Sequence, residues 1–493
     1  MSRAVFLLTF ALASSTPLSA QELGDTWGTG RAEAEYYRIV DLHVPEELAL
    51  EVGSLCLLPD ERLAVGTRRG EILILSGVFE PIPDVRVQRF ASGLDEVFGL
   101  GYRDGAFYAM QQTELTRVSD RDGDGRADRF ENLSDVWGFE NYHEFGWGSP
   151  VQPDGSVWVV LGLSESYYYR TDFRGWAFQI TADGRSIPIA SGIRSAGGVA
   201  PNEHGVMFYA ESQGPWNGSC SLKHLRPGGF MGHPISYPAY DLPLAAQLRK
   251  PLEPNNESRL HAESARIPEL VPPAVVFPYR RMGQSITTFR PDRSGGRFGP
   301  FEGQLFVGDF SLSCVMRATT ELVDGVWQGA CYPFREGFGT GLLALELSPT
   351  GALVTGGTNR GWPVRGHRQF LLERLDWTGK TPFELERIRI QPDGFLLDFT
   401  RPVDAASAAD LAHYRLETFT HIYQEYYGSP EVDQTTPRVV RATPAADGRS
   451  VRLVVEGLVE GHVHAFDLAG LTSQDGAPLL HTQAYYTLNR LPK

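Results

Sequence analysis

One phrase recurs six times along this chain: a short apolar strand, a Pro-Asp-Gly-type turn and a second strand ending in Gly. It is clearest where Leu57-Leu58-Pro59-Asp60 runs into Leu63-Ala64-Val65-Gly66, and where Val151-Gln152-Pro153-Asp154-Gly155 runs into Val157-Trp158-Val159-Val160. Weaker copies follow Leu100, Ala200, Phe289 and Leu347. Hairpin units repeated every ~40 to 60 residues cannot bury their faces singly, and they predict an all-β, six-bladed β-propeller over 21–380. A Pro-rich interruption over 230–285 separates the fourth and fifth units, with a helical hint at Leu244–Leu248. Long inserts of this kind are usually lids or binding loops. From 381 to 493 the pattern changes to short alternating strands punctuated by Gly394, Gly448, Gly457, Gly461 and Gly476, which predicts a C-terminal Ig-like β-sandwich. Its segment from Phe419 to Asp433 carries His421, Tyr423, Tyr426 and Tyr427, suited to contacting the propeller or a sugar.

Residues 1–20 have the layout of a secretory signal peptide: Arg3, an apolar run from Ala4 to Ala13, and a small-residue end at Ser19-Ala20. That run is too short to span a bilayer, and no later stretch comes near the length needed, so the protein is expected to be exported, periplasmic or extracellular, with no membrane span. The formal net charge is −15, one unit more negative once Arg3 is removed, which argues against nucleic acid as a partner. Cys314 and Cys331 flank a hairpin turning near Asp324-Gly325 and are candidates for a bridge. No Cys-x-x-Cys-His occurs, so no covalent haem is encoded and electrons would leave through a separate carrier.

Asp120-Arg121-Asp122-Gly123-Asp124-Gly125-Arg126-Ala127-Asp128 continues to Glu131, with carboxylates at loop positions 1, 3, 5, 9 and 12 and Gly at 6. This is oxygen-ligand spacing for Ca²⁺, with Asp120, Asp122, Asp124, Arg126 (through its carbonyl), Asp128 and Glu131 as the candidate ligands. The loop follows a strand, which points to a structural staple. His143 precedes the inner strand of the third unit, and inner strands line the axis where propeller ligands sit, so it is a candidate general base. Arg194 opens the fourth unit at the equivalent place and offers a fixed fork for oxyanions. The same unit ends at Gln213-Gly214-Pro215, an amide followed by two carbonyls suited to a hard cation. Glu211, Asp309, Arg335 and Arg360 are further candidates.

These residues resemble the soluble glucose/sorbosone dehydrogenases, propellers that use pyrroloquinoline quinone (PQQ) and Ca²⁺. More closely, the chain resembles the exported sorbosone-dehydrogenase-like propellers of planctomycetes and verrucomicrobia, often labelled membrane-bound dehydrogenases. The similar phrases are Thr116 through Asp128, Asn141-Tyr142-His143-Glu144, Phe301 through Asp309, Gly357-Thr358-Asn359-Arg360-Gly361-Trp362 and Tyr485 through Arg490. The resemblance implies that His143 takes the substrate hydroxyl proton, that Arg194 lies near the reacting carbonyl, and that Gln213, Gly214 and Pro215 hold cofactor and metal. The chain departs from the family at Ser311, where a lysine would meet the quinone's carboxylates, and at Gly341 and Leu343, where paired arginines would stand. Arg280, Arg281, Arg335 or Arg360 could replace those charges from other loops, and Glu165 could replace an acidic group that orients the base.

The expected function is oxidation of a sugar or sugar-derived alcohol or aldehyde with a quinone cofactor and calcium. One alternative is a metal-dependent carbohydrate hydrolase or lyase using His143 and Glu211. The other is a non-catalytic propeller that binds a glycan or a partner.

Overall fold

The computed structural model describes residues 26–493, so the signal-peptide reading lies outside the described residues. The fold is all-β and propeller-like. Each of the six phrases forms, or closes, the hairpin between the first two strands of a four-stranded antiparallel unit; the third unit gains a short parallel edge strand, Gly229–Phe230, and the fifth runs on into a larger sheet. In the first sheet the strands are Val52–Leu57, Leu63–Thr67, Ile72–Ser76 and Arg86–Ala91, paired in sequence order. The turn residues adopt the left-handed backbone that tight hairpins need, with Asp104 at φ 50° and Gly105 at 80° in the second sheet.

The first strand of each sheet packs against the first strand of the next, and that of the sixth returns to the first. The ring is closed by hydrogen bonds between strands far apart in sequence: Tyr37–Asp41 supplies the outer strand of the sixth sheet by pairing with Phe370–Trp377. Glycine makes the axis tight. A Cβ on Gly99 would lie 2.5 Å from the Gly148 Cα, and one on Gly197 would lie 2.1 Å from the Ile286 carbonyl. About 10 Å³ of space remains between Ser54, Phe98, Trp147 and Thr288, at the threshold for a single water. The inner strands therefore pack closely around the axis.

Two features differ from the sequence reading. The stretch 230–285 is not wholly an insert, because Val275–Phe277 is the outer strand of the fourth sheet. The helical hint at Leu244–Leu248 corresponds to a 3₁₀ turn at Pro243–Ala245, whereas the helix of this stretch is Leu260–Arg266.

The C-terminal strands form two sheets around a common core that includes Phe395, Phe399, Phe466 and Tyr486. One of them is continuous with the fifth sheet: Gln483–Leu488 pairs with Val326–Glu336 in the register Ala330↔Tyr486. Ser258–Arg259 adds a further two-residue pairing to Arg415–Tyr423. Cys314 and Cys331 do lie on facing strands, but Cys314 opposes Glu336 and Cys331 opposes Ala318, so the bridge does not form and all four cysteines are free. The turn between those strands is at Asp324 and Gly325, both at positive φ.

Candidate functional site

In every one of the six sheets the first strand begins, and the second ends, at the same end of the ring, here called the mouth. His143, Arg194, Gln213 and Arg360 all lie in loops at that end. The segment before the third sheet is built on a buried ion pair. Arg174, fully buried, donates from Nε to the Gly138 carbonyl at 2.8 Å, from Nη1 to the Glu144 carbonyl at 2.8 Å and from Nη2 to the Gln112 carbonyl at 2.9 Å. The Glu144 carboxylate lies 3.8 Å from Arg174 and accepts from Ser164 Oγ and from the Glu140 amide. This scaffold presents His143, whose ring sits 5.0 Å from Phe145 and 5.6 Å from Trp362, centroid to centroid. Its ring nitrogens have no hydrogen-bond partner among the described residues. Burial, then the charges of Arg194 and Arg68, hold the imidazole below its ordinary pKa, with Glu165 opposing them. The result is a neutral base with a free lone pair. Glu165 acts only through its charge, since its carboxylate pairs with Arg170 at 3.4 Å.

Arg194 is 5% exposed. Its guanidinium donates from Nε to the Ser166 carbonyl at 3.1 Å and from Nη1 to the Gln213 carbonyl at 2.5 Å. It lies over two tyrosine rings, at 5.5 Å from the centroid of Tyr167 and 5.0 Å from that of Tyr427. No carboxylate among the described residues pairs with it. Tyr427 comes from the C-terminal hairpin, which is fixed to the fourth sheet where Trp216 donates to the Gln424 carbonyl at 2.7 Å and Tyr423 to the Gly232 carbonyl. Gly214 is glycine because a Cβ there would strike the Arg194 guanidinium at 2.1 Å.

Several expected roles are not available. The Gly214 carbonyl accepts the amides of Asn217 and Gly428, both at 3.1 Å, so both lone pairs are used and it is not free for a cation. Gln213 donates to the Gly218 carbonyl at 3.0 Å. Pro215 sits in the same turn. Arg335 is turned to the N-terminal segment, donating to the Tyr37 carbonyl at 3.1 Å and pairing with Glu33 at 3.3 Å. Arg360 is shared between Glu51 at 3.4 Å and Glu96, beside Arg68. Glu211 is spent on Lys223 Nζ at 2.6 Å, the Tyr209 hydroxyl at 2.9 Å and the Arg194 amide at 2.7 Å, so it is not the free acid that the hydrolase reading assigned to it. Asp309 accepts the amides of Gln284, Ser285 and Leu312 and staples its loop. Leu343 packs with Phe98, Trp147, Phe310 and Val364, and Ser311 is buried, so the family's cation positions form part of an apolar floor here.

Sequence reasoning singled out Tyr426 and Tyr427 but missed the rest of the rim. Among the described residues, seven of the twelve exposed large apolar or aromatic side chains, namely Phe139, Tyr142, Tyr167, Tyr168, Trp362, Tyr426 and Tyr427, belong to loops at or beside the mouth. Arg69 and Arg280 also lie at that end without a carboxylate partner among the described residues. The clustering of exposed aromatics in loops that follow second strands or precede first strands was the available signal.

The acidic loop lies at the opposite end of the second sheet, between Leu115–Ser119 and Arg129–Ser134. Asp120, Asp122 and Asp124 bring carboxylate oxygens within 4.8 Å of one another. Asp120 also accepts the amides of Gly123 at 2.7 Å and Gly125 at 2.8 Å, which lowers its pKa. Arg126 donates its amide to Asp124 at 2.8 Å. Asp128 instead accepts the Arg121 amide, and Glu131 pairs with Arg129 and Arg117, so the ninth and twelfth positions do not join the cluster.

No family model matches the sequence, and no curated protein matches it. Among solved structures the chain is similar to a glucose dehydrogenase of Thermus thermophilus, at 19% identity and a TM-score of 0.47, covering 69% of this chain and 99% of that one. It is similar to the PQQ-bound aldose sugar dehydrogenase of Streptomyces coelicolor at 15% identity and a TM-score of 0.43, covering 69% and 98%. It is also similar to the PQQ domain of a pyranose dehydrogenase of Coprinopsis cinerea at 12% identity and a TM-score of 0.46, covering 69% and 95%.

Proposed function

We propose that this chain is an exported sugar oxidoreductase, with a six-bladed propeller over 21–380 and an Ig-like sandwich over 381–493, and that its substrate docks at the mouth. The observation that carries the reading is Arg194: a buried guanidinium held by two carbonyls, without a carboxylate partner among the described residues, under two tyrosine rings and close enough to His143 to lower its pKa. Aromatic faces suit the apolar faces of a sugar ring. His143 takes the proton of the reacting hydroxyl, and Arg194 stabilises the negative charge that develops on its oxygen.

PQQ carries three carboxylates, and burying them unpaired would cost several kcal/mol. Arg69, Arg194 and Arg280 match that charge in number, and Gln213 lies beside Arg194; the orphaned buried atoms Asn141 Nδ2 and Gln284 Oε1 at the same end await partners. Arg335 and Arg360 have no part in holding it. When bound, the quinone supplies a two-electron acceptor; His143 and Arg194 bind and orient the sugar, and the apolar floor of Phe310 and Leu343 keeps water out from below. Ca²⁺ is assigned to Asp120, Asp122, Asp124 and the Arg126 carbonyl, where it staples the far end of the second sheet.

Dye reduction by the apo protein supplied with PQQ and Ca²⁺, over a panel of aldoses, tests the reading. Reduction that is lost in His143→Ala supports it. Absence of both reduction and bound-quinone absorbance refutes it and favours a second reading, sugar binding without oxidation, for which the apolar floor and the paired arginines Arg335 and Arg360 speak.

A further inference from the structure

A well-formed cavity of the described residues lies away from the mouth. It is a cleft of about 240 Å³ between the outer edge of the fourth sheet, the helix Leu260–Arg266 and the C-terminal sheet that begins at Arg415–Tyr423. At ~30 Å³ per water, that is room for about eight waters. The chain holds 60 acidic against 45 basic residues, yet no carboxylate side chain lines this cleft. Lys223, Arg226 and Arg490 do line it, together with four histidines.

The charges are not equally committed. Lys223 is spent on Glu211 at 2.6 Å, and Arg490 faces Glu460 at 3.7 Å. Arg226 has no ion pair among the described residues; its Nη2 donates to the carbonyls of Pro268 at 2.7 Å and Glu269 at 3.0 Å, which fixes the guanidinium and leaves Nε and Nη1 to a ligand. The ring nitrogens of His224 and His421 have no hydrogen-bond partner among the described residues. Burial pushes both imidazoles down to about 4, with Arg226 adding to the effect at His224, so near neutral pH they are uncharged donors and acceptors. Trp216 and Trp327 stand in the walls.

We infer that this cleft binds one monosaccharide-sized sugar carboxylate, its acid group on Arg226 and its hydroxyls on the neutral imidazoles and the tryptophan walls. The acid-free lining sets it apart from a solvent gap in a chain of this charge, and a neutral sugar would leave Arg226 unmatched.

Calorimetric titration of the full mature chain in an Arg194→Gln background, which removes the mouth's buried unpaired cation, tests the site with three probes: galacturonate, galactose and inorganic sulfate. The expected result is one galacturonate per chain, with galactose at least ~10-fold weaker, as for loss of one charge-assisted hydrogen bond. Adding Arg226→Gln is expected to weaken galacturonate ~10-fold, and His224→Ala, the second variant, to weaken galacturonate and galactose together. Absence of heat with millimolar galacturonate overturns the proposal, as do equal affinities for galacturonate and galactose or affinity unchanged by Arg226→Gln. Sulfate binding as tightly as galacturonate overturns the sugar part. Since Arg226 and His224 line the cleft and not the mouth, the response to their substitution does not depend on the oxidoreductase reading.

Discussion

The N-terminal segment is held to the rest of the protein by a buried charge cluster, and its strength depends on one histidine. His481 Nε2 lies 3.0 Å from Glu33 Oε1 and its Nδ1 lies 2.7 Å from Glu384 Oε2. Burial alone would lower the imidazole's pKa, but Glu384 and Glu33 outweigh it and raise it from 6.5 to about 9. Burial likewise works against the Glu33 charge, and hydrogen bonds from His481, Thr29 and the Glu336 amide reverse that and lower its pKa. A rise of that size in His481 corresponds to ~3 kcal/mol, at ~1.36 kcal/mol per unit. Because the folded pKa lies above the unfolded one, this stabilisation is complete below about pH 6.5, declines as the pH climbs toward 9 and is gone above it. His481→Gln keeps hydrogen-bonding groups and removes the cation. Urea unfolding of parent and variant should therefore differ by ~3 kcal/mol near pH 6 and converge near pH 10. A gap that stays constant across that range, or a variant as stable as the parent near pH 6, would refute the electrostatic account.

Four further outcomes follow from the same structure. Arg174→Met strands the Glu144 carboxylate in the interior and should cost ~3–5 kcal/mol in denaturant unfolding, with a loss of dye reduction that added PQQ does not restore. With the His143 pKa held down, the acid limb of kcat/KM should fall below pH 6.5, and an acid limb above that pH would remove His143 as the base. Tyr427→Ala should raise KM for sugar more than it changes kcat, read in steady-state kinetics, since the ring touches Arg194 and not the base. Ellman titration should find four thiols after unfolding and almost none before, because Cys220, Cys314 and Cys331 are buried and Cys56 is only partly exposed; two after unfolding without reductant would indicate a bridge.

The ring was legible because it is built from local chemistry. A turn such as Asp104-Gly105 announces itself through backbone conformations that few residues adopt, and the strands flanking it are short, nearly continuous buried runs. The outer strands were harder to read. Val275–Phe277 is three residues long and follows a stretch that wanders through two 3₁₀ segments and a helix, so no periodicity marks it as the fourth strand of its sheet. The continuation of the fifth sheet into Gln483–Leu488 pairs residues about 150 positions apart, and nothing in either strand's composition specifies the other as partner.

The site divides along the same line. His143 and Arg194 occupy equivalent places in consecutive units and Gln213 follows the second strand of the unit that Arg194 opens, so the repeat itself aligned them at one end of the ring. The repeat cannot say which side chains are already engaged. Arg335 and Glu211 have the right chemistry for a cofactor or acid–base role, and each is instead spent on a partner that no repeat register specifies: Glu33, about 300 positions away, for the first, and Lys223 on the neighbouring strand with Tyr209 for the second. Arg194 differs because its nearest polar partners are neutral carbonyls, which fix the guanidinium without cancelling its charge. A fixed and uncancelled cation beside a neutral imidazole is the arrangement that charge development on a substrate oxygen requires. Tyr427 completes that arrangement from the C-terminal hairpin, so the two parts of the chain build the mouth together. Removing the hairpin should therefore weaken sugar binding even though every residue of the ring remains.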